Sequence, residues 1–513
     1  VVSSVFVSGC KSGGGQPSAK AKDTFIYATA NQAPELDPAN GSSNAVNRLI
    51  SLLYDGLITY AADSTKIVPA LADTWEASPD AKTFTFHMRK DAKFADGSAV
   101  TADAVKFSFD RIIKVGKLAA SSWSGIIFDD TVKVIDQSTV QFNLKESIPA
   151  FMAMLATPAG LIINPKIKDK YTSSDPIGET YLTTNSMGSG RYVVQTFTPN
   201  GDGVFVRNDK WFGPKSKIKK LVLRIVPEAS TQRMLLEKGE IDMIEGRFLD
   251  WDTIEALRKT DGVAIAEGPT MDILRLIPNG SKKPFDNEKV RQALSMAIDY
   301  DSIIKDIYGG HAERLLGGIP KGLMGYDANA FRFNHDVEGA KKLLKEAGYP
   351  NGIEFELSMG PIALWQKVAT KVQSDAAQAG IKISLREYAL PALYKKLSDG
   401  DFALGMSGWT PDYADPDYNC WYFFYSGNAG PGYNWAFIKD KTVDDFLIKA
   451  RSTVDATQRE SYYKQITDIT NKAATYIPIA QAYTANPMRK WVKGYVLNPM
   501  SNWALPLEQM SKE

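Results

Sequence analysis

The chain has 513 residues, 44% hydrophobic and 23% charged, with 60 basic and 59 acidic side chains and a formal net charge of +1. That length exceeds one hydrophobic core and calls for two or three domains, and so balanced a charge offers no field to gather a nucleic-acid partner. The three histidines, His87, His311 and His335, lie far apart, which leaves no zinc site of His and Cys and no cofactor in view; an oxygen-ligated ion stays open.

In chain order, the first ten residues end in VSGC, and the polar run KSGGGQPSAKAK follows Cys10. VSGC resembles a bacterial lipobox, in which the cysteine is lipidated and heads the mature protein. Residues 1–10 then read as a truncated signal peptide and 11–23 as a flexible tether; an accidental cysteine is the plainer alternative. The lipobox reading makes the protein extracytoplasmic and lipid-anchored through Cys10, at a periplasmic membrane face or a Gram-positive surface. No other stretch approaches the ~18–20 apolar residues of a membrane span.

From Thr24, TFIYATA alternates as a strand, and LDPANGSSNAVNRLISLLYDGL passes from a turn into an apolar helical run. KTFTFHM has period two, the following DG marks a turn, and Thr101 is expected to cap a helix bearing Val105 and Phe109. TVKVIDQSTVQFNL reads as a hairpin around Asp136–Ser138, which makes the stretch to about Thr184 a self-contained α+β unit. RYVVQTF and GVFVRND form another hairpin, KLVLRIV a strand, and EASTQRMLLEKGE a helix leading to the strand IDMIE. Asp286 is expected to cap a helix with Val290, Ala293, Leu294, Ala297 and Ile298 on one face. Gly348 is expected to terminate the helix in DVEGAKKLLKEAGY.

GIEFELSM, LWQKVATKVQSDAAQAG, IKISLREY, LPALYKKLSDG and DFALGMSGW then alternate β-α-β-α-β, the pattern of a parallel sheet. Ligands of such open sheets bind beyond the carboxyl ends of the strands. GWTPDYADPDYNCWYFFYSG, residues Gly408–Gly427, emerges at such an end with Asp412, Asp415 and Asp417 among eight aromatic rings. Rings with acids suit a carbohydrate site, a cation site or a packed loop. Three acids within six residues of one loop do not supply the opposing carboxyls of a glycosidase, and no nucleophile–base pair or phosphate loop occurs. The chain is not expected to be an enzyme. Cys420 reads as a small buried hydrophobe.

In this order the segments resemble the peptide-binding branch of the bacterial ABC-transporter solute-binding proteins, family 5, the oligopeptide, dipeptide and nickel group. The resemblance is carried by LDPA, by VPALADTWEASPDAKTFTFHMRKDAKFADGSAVTADAVKFSFDR, by GSGRY with NDKWFG, by GEIDM, by KPFDNEKVRQALSMAIDYDSII and by GWTPDYADPDY. It runs from Thr24 to about Asn502. The chain departs from it at Gly190-Arg191-Tyr192, where the family usually has Gly-Pro-Tyr, and at Ala104, where an acid usually follows the equivalent of Asp103.

The resemblance implies an α/β, periplasmic-binding-protein-like, two-lobed fold with an extra α+β domain. Domain I would be assembled from 24–40, 185–270 and 487–513, domain II from 41–184 and domain III from 271–486. GPTMDILRLIPN and QAYTANPM would connect the lobes across a hinge. It further implies a monomeric binding lipoprotein that captures a small peptide and hands it to the permease of an ABC importer. The alternative keeps the fold and binds an oligosaccharide or a nickel chelate.

In the family's peptide binders the ligand lies extended between the lobes as an added strand. Asp412 matches the GW-x-x-D carboxylate that takes the peptide α-ammonium, with Trp409 and Thr410 beside it; a structural acid bonded to nearby amides is the plainer reading. Asp415 and Asp417 suit turn and capping roles. Ser42, Ser43 and Asn44 match the segment whose backbone pairs with the ligand, or form an ordinary polar turn. Glu245 and Arg247 match ligand-facing positions, Arg247 as a bidentate receptor for a carboxylate, and Arg275 is a second carboxylate candidate. Dipeptide binders commonly carry an Arg in the segment matching ELSMGPIALW; this chain has none there, so an oligopeptide is expected over a strict dipeptide.

Overall fold

The computed structural model describes residues 21–41, 43–501 and 504–513. Cys10, most of the tether and Ser42 lie outside the described residues.

Strand β1 (Thr24–Thr29) is buried at every position. The helix α1 (Asn44–Leu53) follows, with Ser43 at its N-cap accepting from the Val46 N–H at 3.3 Å. A short hairpin, β2 (Ile58–Tyr60) and β3 (Ile67–Pro69), leads to a four-stranded antiparallel sheet. Its strands are β4 (Ala72–Ala77), β5 (Thr83–Met88), β6 (Val132–Asp136) and β7 (Thr139–Asn143), in the order β4-β5-β7-β6. The period-two reading of β5 holds: Phe84, Phe86 and Met88 are buried and their neighbours half-exposed. That face packs on helix α2 (Ala102–Val115), where Phe109 meets Trp123 and Phe142 edge-on at 5.4 and 5.1 Å. Thr101 stands at the N-cap of α2, but its side chain makes no capping bond. Its carbonyl accepts from the Ala104 and Val105 N–H groups, the first bonds of the helix.

Among the described residues, eleven strands join in one mixed sheet. On one side lie β8 (Tyr192–Phe197), β9 (Gly203–Arg207), β10 (Lys220–Ile225), β1 and β11 (Met243–Ile244). The long strand β12 (Val263–Pro278) crosses to the other side. Beyond the short strand β13 (Ala312–Arg314) come β14 (Ile353–Met359), β15 (Ile381–Glu387) and β16 (Leu404–Trp409). β14 runs parallel to both β15 and β16, with helices Ala363–Gln378 and Leu390–Asp399 as the crossovers. The β-α-β-α-β reading is correct in every element. The second long strand, β17 (Ile477–Arg489), pairs antiparallel with β12 from Val263–Arg489 to Leu276–Ile477. This ribbon belongs to both half-sheets, since β12 pairs with β16 at one end and β17 pairs with β11 at the other. Its register shifts between Pro269 and Ile273 and again between Leu274 and Arg275.

The helix after β12 spans Glu288–Ala297, and its expected buried face is fully buried. Its cap is Asn287, not Asp286: the Asn287 side chain accepts from the Lys289 N–H, while the Asp286 N–H closes the preceding turn on the Lys282 carbonyl. Gly348 follows helix Val337–Glu346 at φ +93°, a left-handed residue that a side chain would strain.

Hydrophobic burial divides into separate cores. One fills the lobe of β14–β16, and a second lies between α1, β1 and β10. A third lies against β4–β7 and also buries Tyr413, from the loop after β16, and Tyr418, from the helix Pro416–Phe424 that follows it. The lobes therefore touch. The Tyr60 hydroxyl donates to the Ala153 carbonyl at 2.6 Å and accepts from the Ala414 N–H at 3.0 Å. Ser147 donates to the Ser452 carbonyl at 3.2 Å. Cys420 is free and fully buried. Among the described residues, no helix is long and apolar enough to cross a membrane.

Candidate functional site

Strand β16 ends at Trp409, opposite Ile273 of β12. This register brings Thr410 beside Asp272, whose carboxylate accepts from the Thr410 hydroxyl. Asp272 in turn lies 3.7 Å from Arg247, which follows β11 on the other lobe. The two side chains keep 24% and 38% of their surface in solvent. A long, half-exposed ion pair of this kind holds its partners weakly. Asp272 was not singled out from the sequence; it lies one residue from the Ile273–Trp409 pair, and only that register reveals it.

The three acids of the loop take different roles. Asp415 caps helix Pro416–Phe424 by accepting from the Asp417 N–H at 2.8 Å, and it receives both arms of Arg459 at 2.7 Å. Asp417 is buried, accepts from Tyr413 at 3.0 Å and lies 3.5 Å from Arg451. Asp412 has no cationic side chain within ion-pair range among the described residues. It opens to solvent, yet burial among its neighbours pushes its carboxyl above the ordinary aspartate value, offset in part by a hydrogen bond from Tyr418.

The other expected residues are distributed around this point. Ser43 caps α1 and Asn44 is its first residue, both half-buried. Glu245 is buried with both oxygens occupied: Arg48 and Thr29 donate to it, each at 2.5 Å, which ties α1 and β1 to the end of β11. Arg275 is only 3% exposed and lies behind the aromatic wall of the loop. Its guanidinium stacks 3.4 Å from the centre of Phe423, whose ring meets Trp409 at 5.6 Å. Burial lowers its pKa to about 10, which leaves it cationic at neutral pH.

Aromatic rings pack together beyond the end of β16. Trp409 lies 6.4 Å from Tyr418 and 5.2 Å from Tyr433, and Tyr422 lies 5.1 Å from Tyr418 and 5.9 Å from Tyr433. A separate opening of about 770 Å³ lies between α1, the β2–β3 hairpin and segments 496–501 and 504–509, lined by Arg48, Tyr60, Arg191 and Glu508 among others. Neither Asp412 nor Trp409 borders it.

Comparison with known proteins places these features in context. Residues 66–431 match the model of the bacterial extracellular solute-binding proteins, family 5. The chain is 32% identical over 96% of its length to the Probable D,D-dipeptide-binding periplasmic protein of Escherichia coli, covering 95% of that protein. It is 30% identical over 93% of its length to the dipeptide-binding protein of the same organism, covering 92% of it. Among solved structures it superposes with a TM-score of 0.80 on the periplasmic binding protein DppA of Helicobacter pylori in complex with peptide STSA. That match has 28% identity and covers 96% of this chain and 98% of the other.

Proposed function

The chain belongs to the bacterial extracellular solute-binding proteins, family 5, and on that premise we propose that it captures small peptides between its two lobes and delivers them to the permease of an ABC importer. The observation that carries this reading is Asp412. Of the three acids in its loop, Asp415 and Asp417 have arginine partners, while Asp412 is exposed with no cation in range among the described residues. A peptide's α-ammonium supplies that charge. Arg247, weakly held by Asp272, receives the ligand carboxylate. Backbone pairing along the ribbon between the lobes accommodates varied side chains. The function is binding and release, without a chemical step. The VSGC motif and polar tether support lipidation of Cys10, and intact-mass spectrometry of the membrane-extracted protein reads the added acyl mass directly.

The test is calorimetry with trialanine. Removing one partner of a buried charge pair costs about 2–5 kcal/mol, so Asp412→Asn lowers affinity by roughly 30-fold or more. N-acetylation of the peptide produces a similar loss in the parent protein and little further loss in the variant. If acetylated and free trialanine bind the parent protein equally, Asp412 is not the amine site, and an oligosaccharide ligand becomes the better reading.

A further inference from the structure

Two small cavities adjoin inside the lobe of β14–β16, sharing Leu315, Asn471, Tyr476 and Pro478 in their walls. The first measures about 10 Å³ and is lined by Arg275 of β12. The second measures about 20 Å³ and is lined by Arg314, at the end of β13, and by the exposed Arg332. No aspartate or glutamate lines either one.

Buried arginines elsewhere in the protein have acids against them. Arg48 pairs with Glu245, Arg111 with Asp37 and Arg459 with Asp415. Among the described residues, Arg275, Arg314 and Arg332 have no carboxylate within ion-pair range. Arg275 is 3% exposed, and its Nε and Nη2 are buried with no hydrogen-bond partner among the described residues. The Arg314 Nη2 donates to the Phe333 carbonyl, but its Nε is likewise buried and unpartnered. A buried polar group left in that state calls for an occupant.

The neighbouring rings do not fill that role. Arg275 stacks 3.4 Å from the centre of Phe423 and 4.7 Å from that of Tyr476, and Arg314 lies 3.8 Å from that of Tyr300. A ring face attracts the charge of a guanidinium stacked on it, yet the N–H groups point outward in the guanidinium plane and still lack acceptors. A water molecule satisfies the N–H groups and leaves the charge uncompensated. An anion answers both needs, since buried charges are stable when paired and hydrogen-bonded. The wall suits one. The Asn471 amide takes up the Leu316 and Phe331 carbonyls at 2.7 and 2.8 Å, occupying two oxygens that would otherwise repel a negative charge. Size narrows the choice. About 10–15 Å³ holds one water-sized occupant, so each cavity takes a single atom rather than the five of a sulfate or phosphate.

We propose that these adjoining cavities form a structural site for a halide, chloride in solution, held by Arg275 and Arg314 with Arg332 at its exposed side. The site lies behind the aromatic wall of Trp409 and is separate from the peptide contacts at Asp412 and Arg247. It gives Arg275 a task other than receiving the ligand carboxylate.

Bromide is the probe in one arm of the test. Crystals of the full chain grown in sodium bromide are expected to show an anomalous peak within about 4 Å of the Arg275 or Arg314 guanidinium. In the second arm, melting is followed in sodium chloride and in sodium gluconate at equal ionic strength, gluconate being too large to enter. An ion that binds only the folded state raises the melting temperature, here by about 1–3 °C. Arg275→Met and Arg314→Gln each lose that chloride response. Arg314 is half-exposed, so Arg314→Gln still answers if Arg275→Met does not fold. No bromide peak in either cavity, or a chloride response that the variants retain, overturns the proposal. A peak without any chloride response in solution marks binding at crystal concentration only and overturns it as well.

Discussion

At the scale of single residues, Asp412 carries a pH dependence whose sign follows from its surroundings. Burial raises its carboxyl above the ordinary value in the ligand-free protein. The protonated form therefore favours the unliganded fold, and that contribution is lost as pH rises through the raised pKa. At neutral pH the charged group costs stability, so Asp412→Asn leaves the melting temperature of the ligand-free protein unchanged or higher, even as it loses ligand. Binding an ammonium has the opposite demand, because it needs the carboxylate. Peptide affinity holds above the raised pKa and falls on the acid side with a slope approaching about one decade per pH unit, starting at a higher pH than an ordinary aspartate gives. Calorimetric titrations across the acid range check this: the parent protein shows the slope, and Asp412→Asn is flat. A parent profile as flat as the variant's removes Asp412 from the binding equilibrium. The position of Asp412 just beyond a strand end was legible in the sequence. Tyr433 was not, because its left-handed backbone is imposed by contacts with Gly430 and with the loop around Tyr425 rather than by any local pattern.

At the scale of elements, the helix after the site depends on a buried ion pair. Asp415 caps Pro416–Phe424 and takes both guanidinium arms of Arg459, which stands in the helix Ala456–Lys472. The pair fastens the site's loop to the body of its lobe. Breaking a buried pair from one side costs about 3–5 kcal/mol, because the remaining charge stays desolvated. Asp415→Ala is therefore expected to lower unfolding stability by about that amount, read by denaturant titration, and a loss below about 1 kcal/mol marks the pair as incidental. The DPD pattern revealed the turn and cap, since those contacts are local. Arg459 lies 44 residues away, and nothing in the loop names it. The same division runs through the sheet. The β14–β16 run was readable because each strand and helix declares itself by period and by glycine stops. The joining of β12 to β17 was suggested by resemblance alone, since its contacts, such as that from the Gln481 side chain to the Thr270 carbonyl, span 211 residues.

At the scale of the whole molecule, named contacts join the two lobes. The Tyr60 hydroxyl is the polar centre of that meeting, accepting from Ala414 on one lobe while donating to Ala153 on its own. Tyr413 and Tyr418, on either side of Ala414, are buried in the core against β4–β7. On the proposed reading, closure combines these protein contacts with ligand contacts at Asp412 and Arg247. Tyr60→Phe keeps the ring and removes the hydroxyl. A net hydrogen bond contributes about 0.5–1.5 kcal/mol, so the loss shifts an open–closed equilibrium by about two- to tenfold toward open. Small-angle scattering of ligand-free Tyr60→Phe is then expected to give a larger radius of gyration than the ligand-free parent. Saturating peptide returns both proteins to the same compact value. Peptide affinity falls in proportion to the closed fraction lost, because a ligand that needs the closed state binds only as tightly as that state is populated. Identical scattering from parent and variant, with and without peptide, sinks the claim that this hydroxyl holds the lobes. A variant that is expanded when free and stays expanded at saturation removes closure from binding altogether, leaving the ribbon of β12 and β17 a rigid connector rather than a hinge.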